Sequence, residues 1–324
     1  MYSLEKITDI VNQFVSNIQY DRQPRRLYEP IEYTLQQSGK RIRPALLLMA
    51  YNIYKEDVEK ALNQAAAIEI YHNYTLLHDD IMDKAEIRRG RPTVHRVWNE
   101  NAAILSGDAM MILAYKYMAD CNHDTLKRIL PVFTITALEV CEGQQMDMMF
   151  EERNDVKAEE YIEMIRLKTS VLIAASLKIG AMVAEADDED ADNLYNFGIN
   201  IGLAFQLQDD LLDVYGNVAK FGKNVGGDIV SNKKTFMLIK AMELAQGETK
   251  ERLLSLINAK EFDKDNKIKE VTQIYNQLGI RAVCEAKMND YYDSAMSCLD
   301  KVKVGEDAKK ELRSLAKELL DREV

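Results

Sequence analysis

The chain contains few of the residues that interrupt helices or cross-link small domains. Among its 324 residues are five prolines, four cysteines and one tryptophan. No proline follows Pro131, so long helices can run uninterrupted through the rest of the chain. The cysteines show no C-x-x-C spacing, which favours reduced core thiols and excludes a disulfide scaffold. They are Cys121, Cys141, Cys284 and Cys298.

Long uncharged apolar runs and an excess of basic residues are also missing. The most apolar stretch, residues 171–184, is interrupted by Lys178, whereas a membrane-spanning helix needs about 18 or more such residues. A formal net charge of -11 argues against general affinity for nucleic acids. The N-terminus lacks the basic-then-apolar order of a signal peptide. These features predict a cytoplasmic protein with no membrane span and no nucleic-acid partner.

Helical periodicity is the main structural signal. Ile70, Tyr74, Leu77 and Ile81 follow spacings of three and four, as the apolar face of a helix does. We find no sustained alternation of β-branched residues and no hairpin dipeptide between such runs. Glycine and polar clusters divide the chain into about ten helices, and none is long enough to be a domain linker. The sequence therefore predicts an all-α fold, with one domain over residues 1–324.

Two copies of one acidic pattern stand out. They are Asp79-Asp80-Ile81-Met82-Asp83 and Asp209-Asp210-Leu211-Leu212-Asp213. In a helix the first and fifth residues share a face, and the second is rotated from the first by about 100° about the helix axis. Each copy therefore presents three carboxylates within little more than one turn. One copy alone could be a solvated acidic face, but two copies at the ends of apolar helices are far less expected by chance. Clustered carboxylates repel one another unless cations neutralise them.

The chemistry of these clusters points to metal-bound phosphates. Carboxylates without His or Cys favour Mg²⁺, which typically binds one or two carboxylates together with substrate phosphates. Basic groups lie near both copies in the sequence: residues 39–44 and 88–91 flank the first, and residues 222–228 and 232–234 follow the second. Each group alone is more often a surface charge. Together, the clusters and basic groups predict a site for two phosphorylated substrates.

The paired acidic motifs, preceded by Gly39-Lys40-Arg41-Ile42-Arg43-Pro44, resemble the trans-isoprenyl diphosphate synthase (polyprenyl synthetase) family. The resemblance covers residues 39–234 and favours the short-chain farnesyl or geranylgeranyl diphosphate synthase type. It implies the isoprenoid synthase fold, a bundle of about ten or more helices around a central cavity, and a homodimer. It also implies condensation of isopentenyl diphosphate with dimethylallyl, geranyl or farnesyl diphosphate, giving a C15 or C20 product.

The resemblance further implies a role for each residue that matches a family motif. The implied Mg²⁺ ligands, for three ions in the substrate complex, are Asp79, Asp80, Asp83 and Asp209, with Asp210 and Asp213 in supporting roles. The residues implied to contact the allylic diphosphate are Arg88, Lys168, Lys223 and Lys233. Those implied for the isopentenyl diphosphate pocket are Lys40, Arg43, His72 and Arg89. Thr169, Gln206 and the stretch 143–147 match motifs near the reacting carbons.

These groups suit an ionisation, condensation and elimination mechanism. Mg²⁺ and the basic residues would stabilise charge on the departing diphosphate while the allylic C–O bond ionises to a carbocation. In the family the isopentenyl double bond then adds to that cation, and the released diphosphate is the usual proposed base. The carbonyls of Lys168 and Thr169 and the amide of Gln206 are candidate cation stabilisers; alternatively, Lys168 and Thr169 form a surface pair on a helix.

Product length can be argued from position along the helix that carries Asp79. Tyr74 and Thr75 lie five and four residues earlier, about 6–8 Å deeper at 1.5 Å per residue. A bulky Tyr74 would stop a growing hydrocarbon chain after a few isoprene units, with Tyr71 as a second layer. Alternatively, Tyr74 packs into a neighbouring helix and residues 109–113 set the limit.

Three other functions remain open from the sequence. A long-chain polyprenyl diphosphate synthase would share the site but elongate further. A class I terpene cyclase also ionises an allylic diphosphate, but cyclases lack the 39–44 pattern. A non-catalytic regulatory subunit would have lost aspartates, whereas both copies here are complete. The exact product, the preferred primer and the downstream pathway do not follow from the residues.

Overall fold

The computed structural model describes residues 1–37, 39–216 and 225–320, and these residues are mainly α-helical. The helices in chain order are α1 (Leu4–Ser16), α2 (Arg25–Leu35), α3 (Ile42–Asn52), α4 (Leu62–Met82), α5 (Val94–Val97), α6 (Glu100–Met118), α7 (His123–Glu151), α8 (Ala158–Ile165), α9 (Val171–Val183), α10 (Asp188–Tyr215), α11 (Gly227–Val230), α12 (Phe236–Leu244), α13 (Gly247–Asn258), α14 (Lys264–Gln277), α15 (Ile280–Asp300) and α16 (Glu306–Leu320). The prediction of an all-α fold is confirmed.

Two short elements depart from the predicted pattern. Strands β1 (Ile87–Arg88) and β2 (Arg91–Pro92) pair antiparallel, so the prediction that strands are absent is wrong at this loop. Arg89 and Gly90 form the turn with φ of 51° and 76°, the left-handed backbone that two-residue hairpin turns require. Two-residue strands are too short to show alternation. The second element is a π-helical turn, Arg166–Ser170, between α8 and α9.

The helices form two compact units. The first comprises Met1–Thr134, Ala175–Tyr195 and Val302–Leu312, and the second comprises Ile135–Ala174, Asn196–Lys301 and Arg313–Val324. The single domain over residues 1–324 stays a prediction. In the first unit α3 is buried from Pro44 to Asn52, as expected of a helix that is apolar on every side. In the second unit Tyr161, Leu207 and Phe236 belong to one apolar cluster.

Two smaller predictions can be compared with the structure. No helix in the three described ranges is both long and apolar enough to cross a membrane. All four cysteines are free thiols, but only Cys284 is buried and Cys141 is exposed. The prediction of core thiols is therefore correct for Cys284 and wrong for Cys141.

Candidate active site

The first aspartate cluster lies at the end of α4. Asp79 and Asp80 occupy its last turn and Asp83 follows it directly. Asp80 is buried, Asp79 is half-buried and Asp83 is exposed. Arg88 Nε donates to Asp80 Oδ1 at 2.7 Å. Burial raises the pKa of Asp80 even though the adjacent Arg88 charge lowers it. A buried carboxylate that needs a cation is therefore paired with an arginine implied to bind diphosphate.

The hairpin after α4 positions Arg88 and Arg89. Thr93 joins the two ends of the hairpin. The Thr93 hydroxyl donates to the Ala85 carbonyl at 2.7 Å, and the Thr93 amide donates to the Glu86 carbonyl at 3.0 Å. At the other end of the hairpin the Arg89 guanidinium lies against Gly39. A Cβ on Gly39 would come within 2.8 Å of Arg89 Nη1, so a larger residue there would displace the guanidinium.

The structure brings together residues implied for the isopentenyl diphosphate pocket. Arg43 Nη1 and His72 Nε2 are 3.2 Å apart. Burial, reinforced by the charges of Arg43, Arg89 and Arg88, holds the pKa of His72 well below its usual range. A neutral His72 accepts the hydrogen bond from Arg43 without adding positive charge. Lys40 is exposed, next to the Gly39 that contacts Arg89.

A buried ion pair that the sequence analysis did not single out anchors this pocket. Arg41 precedes α3 in the left-handed conformation, with φ of 47°, and its guanidinium bonds Glu69. Arg41 also donates to the carbonyls of Leu35 and Gln37 at 2.6 and 3.1 Å. Asn73 Nδ2 donates to Glu69 Oε1 at 2.7 Å. The backbone between Lys40 and Arg43 is therefore tied to α4.

The second aspartate cluster lies in the last two turns of α10. Asp210 is 2% exposed and accepts hydrogen bonds from the Tyr161 hydroxyl and, at 3.3 Å, from Gln206 Nε2. The Thr169 hydroxyl donates to Gln206 Oε1 at 3.2 Å. Burial raises the pKa of Asp210 to about 7; the Asp228 charge adds to the rise, and Tyr161 and Lys233 oppose it. Thr169, Gln206 and Asp210 are thus joined in one network.

Asp213 and Asp228 connect the second cluster to α11. The Asp228 amide donates to Asp213 Oδ2 at 2.9 Å, and the Gly226 amide donates to the Asp213 carbonyl at 2.6 Å. Asp213 therefore fixes the backbone at the start of α11. Asp228, whose charge reaches Asp210, is a further carboxylate at this cluster that the motif alone did not reveal.

The π-helical turn places Lys168 beside α7. Lys168 Nζ donates to Asp147 Oδ2 at 2.6 Å. A Cβ on Gly143 would lie 2.4 Å from the Lys168 amide nitrogen, so only glycine allows the two backbones to approach this closely. π-helical turns inside longer helices are frequent at functional sites. Their five-residue register has no simple sequence signature, which explains why this turn was not predicted.

Two further basic residues are implied for the allylic diphosphate, and the structure describes one of them, Lys233. Lys233 is exposed, its amide donates to the Asp228 carbonyl at 2.9 Å, and its charge acts on Asp210. Lys223 lies outside the described residues. Within the second unit Lys233 therefore lies near the second aspartate cluster, and its contact with the allylic diphosphate stays a prediction.

Aromatic rings surround the residue predicted to limit product length. The Tyr74 ring centroid lies 5.4 Å from that of Tyr71 and 4.8 Å from that of His78. Tyr71 is buried and packs edge-on against Phe133. The Thr75 hydroxyl donates to the His72 carbonyl at 2.8 Å, so it is engaged within α4. Tyr71 does lie directly against Tyr74, whereas the role of either ring in product length stays a prediction.

A cavity of about 510 Å³ lies in the second unit. Val156, Leu238 and Met242 contribute to its apolar wall and Lys234 to its polar part. Lys234, from the basic group at residues 232–234, is the one predicted residue in the described ranges that lines it. The candidate active site is therefore defined by its side chains rather than by this cavity.

Asp210 should make the stability of the metal-free protein depend on pH. Its pKa is about 7 in the folded chain and 3.8 as a free side chain, so ionisation opposes folding. The neutral Asp210 carboxyl contributes to the free energy of unfolding in full below about pH 4, and this contribution is lost as pH rises through about 7. We expect Asp210→Asn to unfold at a higher temperature than the unsubstituted chain at pH 8, and the difference to shrink towards pH 5. Thermal unfolding in EDTA measures it; a pH-independent difference would contradict the assignment.

The chain matches the polyprenyl synthetase family model over residues 24–275. It is 43% identical over 250 residues to the short chain isoprenyl diphosphate synthase of Methanocaldococcus jannaschii, covering 77% of this chain and 76% of that protein. It is 37% identical over 321 residues to the short chain isoprenyl diphosphate synthase of Methanothermobacter thermautotrophicus, covering 99% and 98%.

Solved structures agree with this match. A crystal structure of a geranylgeranyl pyrophosphate synthase superimposes with a TM-score of 0.94 at 38% identity, covering all of both chains. The geranylgeranyl pyrophosphate synthase of Corynebacterium glutamicum, solved with isoprenyl diphosphate and magnesium, has a TM-score of 0.85 at 27% identity, covering 98% of each chain. Together with the two aspartate clusters and their basic neighbours, these matches show that the chain belongs to the polyprenyl synthetase family.

Proposed function

We propose that this chain is a Mg²⁺-dependent prenyltransferase that condenses isopentenyl diphosphate with allylic diphosphates to a short-chain trans-prenyl diphosphate. The observation that carries the proposal is the pairing of aspartates with basic residues. Arg88 bonds Asp80, and the charge of Lys233 acts on Asp210. Carboxylates that hold a cation beside groups that hold phosphate are what diphosphate ionisation requires.

The donor set of the aspartate clusters fits Mg²⁺. The donors at both clusters are carboxylates, with no His or Cys among them. This suits an ion that takes one or two carboxylates and completes its shell with water and substrate phosphates. Asp79, Asp80 and Asp83 would hold metal at the first cluster, and Asp209 and Asp210 at the second. When bound, Mg²⁺ supplies positive charge that stabilises the departing diphosphate.

Basic side chains would hold the allylic diphosphate. Arg88 is paired with Asp80 and Lys168 with Asp147. A bound diphosphate would offer either side chain a second anion, and guanidinium binds phosphate oxygens in bidentate fashion. Lys233 and, by the resemblance, Lys223 would complete the set.

Isopentenyl diphosphate would bind at the basic pocket of the first unit. Arg43 and Arg89 present guanidinium groups, and Lys40 is exposed beside them. Neutral His72 orients Arg43 through their 3.2 Å contact and leaves its positive charge for the substrate. Arg43, oriented in this way, would bind the substrate without any proton transfer from His72.

The network of Thr169, Gln206 and Asp210 would face the developing carbocation. The Thr169 hydroxyl fixes Gln206 Oε1, and Asp210 fixes Gln206 Nε2. An amide held at both ends keeps its dipole in place during ionisation, which is the condition for electrostatic stabilisation. The proton released after condensation would pass to the departing diphosphate.

Product analysis tests the proposed function. Purified protein is incubated with Mg²⁺, labelled isopentenyl diphosphate and each of the C5, C10 and C15 allylic diphosphates, and product length is measured. Formation of C15 or C20 products would support the proposal. Products beyond C25 would indicate a long-chain synthase. Failure to consume isopentenyl diphosphate with any primer would favour a cyclase or a regulatory subunit.

Tyr74→Ala should lengthen the product. Tyr74 is half-buried against Tyr71 and His78, so its removal opens space beside α4, the helix that ends in the first aspartate cluster. We expect the main product to gain one or more isoprene units, measured by chromatography of the dephosphorylated alcohols. Tyr115→Ala, which removes a ring that contacts Phe133 rather than Tyr74, serves as the comparison. An unchanged product would move the limit to residues 109–113.

The assembly and location of the protein are part of the proposal. Exposed apolar side chains on α6, at Ile104, Leu105 and Ile112, would be covered in a homodimer. Ile135 and Leu138 on α7 are exposed in the same way. The cytoplasmic location stays a prediction.

A further inference from the structure

A buried lysine lies behind the segment that carries Lys233. Lys267, on α14, is 1% exposed, and its Nζ donates to Asn232 Oδ1 at 2.7 Å and to the Val230 carbonyl at 3.3 Å. The ammonium also lies 4.1 Å from the Phe262 ring centroid. Its partners in the described residues are neutral, and burial lowers its pKa. Burying an ammonium is costly, so a Lys267 that served packing alone would be better replaced by an apolar residue.

Asn232 is the main partner of Lys267, and all of its polar groups are engaged. Its side-chain Oδ1 accepts from Lys267, and its Nδ2 donates to the Ile257 carbonyl at 3.0 Å. Its carbonyl accepts from Lys234 Nζ at 3.2 Å and its amide donates to the Ile229 carbonyl at 3.3 Å. Its φ of 55° is left-handed, which asparagine tolerates better than most residues. Asn232 therefore fixes a sharp change in chain direction.

That change of direction determines where the next residue lies. The Lys233 amide donates to the Asp228 carbonyl at 2.9 Å, and its carbonyl accepts from the Thr235 amide at 2.8 Å. The Thr235 hydroxyl in turn caps α12. The Lys233 backbone is therefore held on both sides while its side chain is exposed.

We propose that Lys267 and Asn232 are positioning residues that hold the Lys233 backbone where its ammonium meets the allylic diphosphate. This inference rests on the proposed function, in which Lys233 contacts that diphosphate. The buried ammonium bonds the chain on both sides of Ser231, at the Val230 carbonyl and at Asn232 Oδ1. An apolar residue could fill the same space but could not tie these two points together.

Four single variants and one double variant, Lys267→Met with Asn232→Gly, test the pair. Lys267→Met removes the ammonium and keeps an unbranched stem. Asn232→Gly keeps the left-handed backbone free of strain and removes the side-chain bonds, whereas Asn232→Asp keeps the acceptor for Lys267. Lys269→Met is the control, since this lysine is exposed on the same helix. We measure KM for geranyl diphosphate and for isopentenyl diphosphate, unfolding temperature, and calorimetric binding of inorganic diphosphate with Mg²⁺.

Lys267→Met and Asn232→Gly should each raise KM for geranyl diphosphate about tenfold, as expected for one hydrogen bond to a charged group. In the same two variants KM for isopentenyl diphosphate should change less than about twofold. Lys269→Met should behave like the unsubstituted chain. Asn232→Asp should keep the KM for geranyl diphosphate, because it keeps the acceptor for Lys267, but should unfold at a lower temperature because it loses the bond to the Ile257 carbonyl. The double variant should lose no more than either single one, because the two residues act as a unit. A purely structural role would instead lower the unfolding temperature and change both KM values alike.

Diphosphate binding separates failure of this inference from failure of the proposed function. If the unsubstituted chain binds Mg²⁺ and diphosphate but forms no prenyl product, the proposed function fails. Weaker binding by Lys267→Met and Asn232→Gly would still support the inference. If the enzyme is active and both variants match Lys269→Met in binding and in both KM values, the inference is overturned and the proposed function stands.

Discussion

Asp80→Asn should reduce kcat by about a thousandfold or more while the protein stays folded. Asn keeps the shape of the side chain but carries no charge, so the first cluster would lose its buried metal ligand. Losing several kcal/mol of transition-state stabilisation corresponds to a rate loss of this size. Stability should be little changed, because burial already disfavours the ionised form of Asp80. Steady-state kinetics and circular dichroism measure the two effects.

Asp124→Asn is the matched control for Asp80. Its carboxylate is 99% exposed at the start of α7, and it belongs to neither aspartate motif. The same neutralisation there should leave kcat unchanged. Raising Mg²⁺ should recover little activity in Asp80→Asn, since Arg88 also loses its carboxylate partner. Near-normal turnover in Asp80→Asn would remove the metal assignment from the first motif.

The family and the all-α fold could be predicted because their signals are local. Both aspartate motifs are five residues long, and each helix carries its apolar period within its own sequence. The basic segment at residues 39–44 is equally short. Such patterns are visible in a single sequence without knowledge of which helices pack against each other. The resemblance then supplied the roles that local patterns do not contain.

The supporting contacts could not be predicted because they join residues far apart in the chain. Arg41 meets Glu69 28 residues later, and Tyr161 meets Asp210 49 residues later. Lys267 reaches back 35 residues to Asn232. In each case one partner looks like an ordinary surface charge or core ring, and only the packing of two helices shows that it is engaged.

The hairpin after α4 shows a different limit. Its strands have two residues each, so they lack the length over which alternation is recognised. The dipeptide Arg89-Gly90 was a usable signal, since Gly suits the second left-handed position of such a turn. Placing Arg89 in the first left-handed position is less favourable for an arginine. In this conformation the Arg89 guanidinium lies against Gly39.

Glu69→Ala should lower the free energy of unfolding by about 3–5 kcal/mol, because it leaves the Arg41 guanidinium buried without its carboxylate. Arg41 and Glu69 are 8% and 2% exposed, so water cannot replace the lost partner. Chemical denaturation measures the change. Glu285→Ala breaks the exposed Arg281–Glu285 pair on α15 and should have little effect.

The double variant Arg41→Met, Glu69→Leu separates stability from positioning. Replacing both charges with apolar side chains should recover much of the lost stability, because no buried charge then remains unpaired. It should still raise KM for isopentenyl diphosphate, since Arg41 ties the backbone between Lys40 and Arg43 to the carbonyls of Leu35 and Gln37. Recovery of both stability and KM would mean that the ion pair only fills space. Recovery of stability alone would mean that its charge holds the substrate pocket in shape.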